Sequence, residues 1–141
     1  MKQILSFLTI GVQDLDKMKE FYKEKFGWSH LKDSGGIVFF KLNGIILGLY
    51  RSDELAEDVG VKDDGAGFKR FTLAINFNSE AEVDKAVEDL RGKGVRVLKE
   101  PQKVFWGGYH SYVADIENNY WELAFNPFVT FDKDGNVDTH L

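Results

Sequence analysis

Apolar and polar residues alternate with a period of two from Ile4 to Val12. The pattern then switches at Asp14 to a helical period, with Leu15, Met18, Phe21, Tyr22 and Phe26 along one face. Asp14 stands where an N-cap accepts free backbone N–H groups, and Gly27 closes the helix. Three short strands are predicted next, over 28–31, 37–42 and 45–50. They are separated by Gly35-Gly36 and by Asn43-Gly44, a dipeptide suited to a two-residue hairpin. Residues 1–50 therefore read β-α-β-β-β.

A stretch from Arg51 to Phe68 interrupts the pattern. It is acidic, carries Gly60, Gly65 and Gly67, and has no clear period beyond a possible helical turn at Glu54–Asp58, so it reads as a linker with room to act as a lid. Alternation resumes from Arg70 to Phe77. Ser79 and Glu82 form a capping box ahead of Val83, Ala86, Val87 and Leu90, and Gly92 and Gly94 end that helix. Strands are predicted over 95–98, 109–114 and 120–124, with a turn at Asp115–Asn118 between the last two. The second half repeats the first: Val12 corresponds to Phe77 and Phe26-Gly27 to Lys93-Gly94, an internal duplication of about 65 residues. In domain terms this is one domain over 1–127 (module one 1–50, linker 51–68, module two 69–127) followed by a tail over 128–141. Asp132–Asn136 in the tail resembles the start of a calcium loop but lacks the downstream bidentate Glu, so a plain turn is expected.

With 141 residues, 43% of them hydrophobic and 14% aromatic, the chain can bury a core without staples. It has no cysteine, which removes disulfides, thiolate metal sites and a Cys nucleophile and suits a reducing compartment. Neither a signal peptide nor a membrane-length apolar run is present, so a cytoplasmic protein is expected. A net charge of -5 with scattered lysines offers no basic stripe for nucleic acid. Gly65-Ala66-Gly67 does not join a strand to a helix as a dinucleotide loop would, and there is no phosphate loop or Ser nucleophile elbow.

The run Thr9-Ile10-Gly11-Val12-Gln13-Asp14-Leu15 leading to Phe21-Tyr22 and Phe26-Gly27 resembles the vicinal oxygen chelate superfamily, as do Trp106-Gly107-Gly108-Tyr109, Tyr112-Val113-Ala114-Asp115 and Trp121-Glu122-Leu123. That superfamily includes glyoxalase I, extradiol dioxygenases, fosfomycin-resistance enzymes and bleomycin-binding proteins. Leu47–Arg51, Leu55–Val61 and Trp121–Pro127 are most similar to its glyoxalase-like members. The resemblance implies an α+β fold in which two βαβββ modules form a cupped mixed β-sheet with helices on its outer face. It also implies a homodimer. One departure is Ile116-Glu117-Asn118-Asn119 where the family usually has Pro-Asp-Gly-Asn, and Asn118 tolerates the left-handed conformation the glycine would supply.

Metal-dependent members place two ligands in each half, on the first and last strands, facing the cup. The corresponding positions here are Phe7, Gly48, Thr72 and Glu122, of which only Glu122 is a good ligand for a divalent metal, so neither a metal nor another cofactor is expected. Glu122 is either a partly buried carboxylate satisfied by a neighbouring donor or a ligand-contacting acid or base. Strand alternation adds Thr9, Tyr50, Ala74 and Asn76 to the cup wall. Trp106 precedes two glycines that either let the backbone approach a ligand or simply make a turn. Of the three histidines, His30, His110 and His140, none falls on a first-strand ligand position. If the last hairpin closes as a four-residue loop, Ser111 faces Glu122 and His110 turns to the helix side, whereas one residue of slip reverses this. Both therefore stand as site candidates, with a structural role as the alternative for His110.

Three functions compete. The first is a metal-free protein that holds a small molecule in an apolar cup. The second is a lyase or dioxygenase of the same superfamily, assisted by a metal or by Glu122 alone. The third is an interaction module with a filled cup and an exposed apolar patch.

Overall fold

The structure is a computed structural model that describes residues 7–31, 36–60, 62–65, 67–69 and 71–138. The predicted beginning of the first strand at Ile4, together with Gly35, Ala66, Arg70 and His140, lies outside those residues. The chain divides into two compact units, 1–66 and 67–141. The described residues form seven strands in two mixed sheets and three helices, an α+β fold.

The first unit runs β1 (Phe7–Val12), α1 (Leu15–Glu24), β2 (Ile37–Lys41), β3 (Ile46–Arg51) and α2 (Ser52–Val59). β3 is central, parallel to β1 and antiparallel to β2. The Asp14 side chain caps α1 by accepting from the Lys17 N–H at 3.0 Å. Its apolar face, Met18, Phe21 and Tyr22, is buried along with Ile10, Val12, Val38, Phe40, Leu47 and Leu49, which share one sheet face by alternation.

The strand predicted over 28–31 does not form; only His30 bridges to Phe40. Side-chain packing decides this segment. Trp28 stacks on Tyr22 with ring centroids 5.6 Å apart and meets Phe26 edge-on at 5.1 Å, so the chain is held by an aromatic cluster rather than by a ladder. A second correction concerns the linker, whose first part is the full helix α2. Asp53 and Glu54 favour its N-terminus, and Gly60, at φ 85°, returns its N–H to the Ala56 and Glu57 carbonyls. At Gly11 the chain approaches α2 closely: a Cβ there would lie 3.0 Å from the Ser52 hydroxyl.

The second unit runs β4 (Leu73–Phe77), α3 (Glu80–Gly92), β5 (Arg96–Lys103), β6 (Tyr109–Ala114) and β7 (Tyr120–Phe125), in sheet order β4-β7-β6-β5. Ser79 accepts from the Glu82 N–H at 3.2 Å, while Glu82 reaches back to the Asn78 N–H at 2.9 Å. Val83, Val87 and Leu90 of α3 are buried, as are Val113, Trp121 and Leu123 of the sheet. The duplication shows in the register. β1 runs parallel to β3 with Thr9 beside Gly48, just as β4 runs parallel to β7 with Ala74 beside Glu122.

Two loops share one device. Asp115 Oδ1 accepts from the N–H groups of Glu117 and Asn119, both at 2.9 Å, and its Oδ2 accepts from the Asn119 amide at 2.8 Å. Asp132 does the same with Asp134 and Asn136 at 2.9, 2.9 and 3.0 Å, so the calcium-like stretch is a side-chain-braced turn. Asn118 takes the left-handed conformation at φ 62°.

Candidate functional site

The β6–β7 hairpin sets the chemistry of the second unit. Asp115 N–H donates to the Asn119 carbonyl, and Ala114 pairs with Tyr120, so five residues rather than four close the loop. Tyr112 therefore stands opposite Glu122, and His110 opposite Ala124. His110, Tyr112 and Glu122 share one face, and Ser111 turns to the other. A four-residue loop is thus corrected to five, because the Asp115 carboxylate braces the extra residue.

Ser111 is fully buried, and its hydroxyl donates to the Lys99 carbonyl at 2.7 Å, where β5 bulges against β6. His110 is 7% exposed, with Nδ1 2.6 Å from Glu122 Oε1. Its Nε2 is the one buried side-chain nitrogen or oxygen among the described residues without a hydrogen-bond partner. The His110 ring meets Tyr112 edge-on at 5.2 Å.

The Tyr112 phenol lies close enough to Glu122 and Thr72 for both to act on it. Burial first, then the Glu122 charge and hydrogen bond, hold its pKa above the ordinary phenol value, against a smaller downward pull from Thr72. Thr72, Tyr112, Glu122 and His110 thus form one polar group, in which His110 and Glu122 are hydrogen-bonded. The sequence reading singled out three of its members and missed Tyr112, although strand parity two residues beyond His110 carried the signal. Asn76 lies at the same parity on β4, opposite Ala124.

In the first unit, Phe7, Thr9, Gly48 and Tyr50 share the face opposite the α1 core. Gly48 is covered by its neighbours: a Cβ there would lie 3.1 Å from Thr9 Oγ1 and 3.3 Å from the Phe39 ring, which Phe7 meets edge-on. Partial burial, followed by the charges of Glu54, Asp58, Glu57 and Asp53, raises the Tyr50 phenol pKa. Trp106 sits in the turn between β5 and β6, closed by Val104 N–H donating to the Gly108 carbonyl, with its indole over Gly108.

Among the described residues no three His, Cys, Asp or Glu side chains gather as a metal would require. Phe7 and Gly48 carry no side-chain donor atom, and Glu122 is engaged by His110.

A model of the family described as the glyoxalase/bleomycin resistance protein/dioxygenase superfamily matches residues 4–123. Over 120 residues the chain is 35% identical to lactoylglutathione lyase GLX1 of Arabidopsis thaliana, covering 79% of this chain and 40% of that protein, so it spans about two fifths of the lyase. It is 28% identical over 126 residues to the fosfomycin resistance protein FosX of Listeria monocytogenes, covering 84% and 86% of the two. A glyoxalase-related enzyme from Fulvimarina pelagi superposes with a TM-score of 0.86 at 34% identity, over 99% of this chain and 100% of that one.

Proposed function

Because the chain belongs to the glyoxalase/bleomycin resistance protein/dioxygenase superfamily, we propose that it binds a small organic molecule against the strand face carrying Glu122, using its own side chains in place of a metal. One observation carries this reading: a carboxylate with only 21% of its side chain exposed is held by His110 on the sheet face turned away from the core packed on α3. A few converging polar groups on an otherwise apolar wall are what orient ligands in small-molecule sites.

The test is a calorimetric titration of chelator-treated protein with a compound selected by thermal shift, comparing wild type with Glu122→Gln. The amide keeps the shape and can still accept from His110 Nδ1, so the fold persists. Loss of the charge weakens binding by about 1.5–3 kcal/mol, roughly ten- to 150-fold. Unchanged affinity removes Glu122 from the site.

A second reading, acid–base catalysis by the His110–Glu122 pair, is favoured by their 2.6 Å contact and by the lyase named among the relatives. Turnover of the bound compound that Glu122→Gln abolishes distinguishes it from simple binding.

The protein is further proposed to be a cytoplasmic homodimer that binds neither nucleic acid nor membrane. Among the described residues no helix is long and apolar enough to cross a membrane. Phe68, Phe105 and Phe128 are exposed on the single chain, and a two-fold contact would cover such a surface. Sedimentation at twice the chain mass is expected, and a monomer at micromolar concentration refutes the dimer.

A further inference from the structure

We propose that Glu122 fixes His110 as the Nδ1–H tautomer, and that the molecule bound at this site carries an un-ionised hydroxyl that donates to His110 Nε2. The inference rests on the small-molecule reading above and adds the chemical class of the ligand.

An ionised carboxylate has only acceptor atoms. At 2.6 Å from Glu122 Oε1, His110 Nδ1 must therefore carry the proton. In the neutral ring the other nitrogen then keeps its lone pair and is an acceptor. That nitrogen is buried and without a partner, in a side chain that keeps only 9% of its exposure. Buried polar groups are ordinarily paired, and an exception calls for a partner that arrives from outside the chain.

Among the described residues no donor lies within hydrogen-bond distance of His110 Nε2. Across the ladder the ring faces Ala124 on β7, which offers no side-chain hydrogen bond. On β5 it faces Gln102, whose amide donates to the Glu100 carbonyl. Tyr112, whose ring meets the imidazole edge-on at 5.2 Å, is not a partner of that nitrogen. A hydroxyl on the ligand fits the lone pair. An anion does not, because it would meet a lone pair and lie close to the Glu122 charge.

Phenol, anisole and benzoate serve as matched probes: the first donates a hydrogen bond, the second cannot, and the third is an anion. Titrations at mildly alkaline pH should show phenol bound about tenfold more tightly than either of the others. His110→Phe should abolish that preference while retaining anisole binding. In case that variant fails to fold, nitrogen-15 NMR of the wild-type histidine rings supplies an independent readout. One ring should show a protonated Nδ1 and a pyridine-type Nε2 whose shift moves on adding phenol and not on adding anisole. Equal affinity for phenol and anisole, tighter binding of benzoate, or a ring protonated at Nε2 overturns the inference alone. Failure of all three probes to bind overturns the small-molecule reading as well.

Discussion

Asp115→Ala, set beside Asp132→Ala, separates the value of a hydrogen-bond set from the value of its burial. Each carboxylate accepts two backbone N–H groups and one Asn amide in the same Asp-x-x-x-Asn spacing, at 2.8–3.0 Å. Asp115 and Asn119 are 3% and 2% exposed, whereas Asp132 is exposed. Removing Asp115 strands the Asn119 N–H and amide away from water, at about 1–3 kcal/mol per unsatisfied group. The Glu117 N–H is half-buried and recovers part of its loss by hydration. The bonds share one acceptor and do not add fully, so the net destabilisation is about 3–5 kcal/mol, a large part of the ~5–15 kcal/mol by which a domain is stable. At roughly 3 °C per kcal/mol for a chain of this size, the melting temperature falls by about 10–15 °C. At Asp132 water replaces the lost acceptor, and the midpoint should stay within experimental error. Urea unfolding of the two variants and wild type checks this. Equal losses would refute the reasoning, because the hydrogen bonds would then matter irrespective of burial.

Gly108→Ala places a Cβ 1.9 Å from the Trp106 ring, so the indole must swing away. The Trp106 indole N–H resonance should shift while those of Trp28 and Trp121 stay in place, and an unmoved Trp106 signal would count against the packing. The Tyr109 phenol, which donates to Asp84 Oδ1 at 2.7 Å, has its pKa pushed up to about 12 chiefly by that bond. The folded state thus favours the protonated phenol, and this contribution to stability is full below the ordinary phenol range near 10 and is lost as pH rises from there towards 12. Ultraviolet titration of Asp84→Asn should show this tyrosine ionising earlier, and an unchanged curve would remove Asp84 as the cause.

Both long helices were legible because cap and period agreed: Asp14 before Met18, Phe21 and Tyr22, and Ser79-x-x-Glu82 before Val83, Val87 and Leu90. α2 was obscured for the opposite reason. It contains no buried residue, so its sequence lacks the apolar stripe that marks a helix, and its evidence lies in the acidic first turn and Gly60. Trp28–Leu31 misled because aromatic residues suit strands and clusters alike, and only the tertiary position of Tyr22 and Phe26 chose the cluster.

The site was half legible for a more particular reason. Glu122 could be placed by alternation, but the face of His110 depended on a one-residue difference in loop length, and a period-two pattern cannot count loop residues. Asp115 and Asn119 held that information, since their spacing recurs at Asp132 and Asn136. The five-residue loop puts His110 diagonally across from Glu122 rather than directly opposite, a separation that only long side chains span. Small residues stand directly beside both members, Ala124 next to His110 and Ala74 next to Glu122, which leaves the imidazole and carboxylate free to lean together. The pair is therefore a product of two separable features: the braced turn that sets register and the alanines that leave room. Enlarging Ala124 would crowd the imidazole without changing the Glu122 charge, so the contact depends on packing as much as on charge.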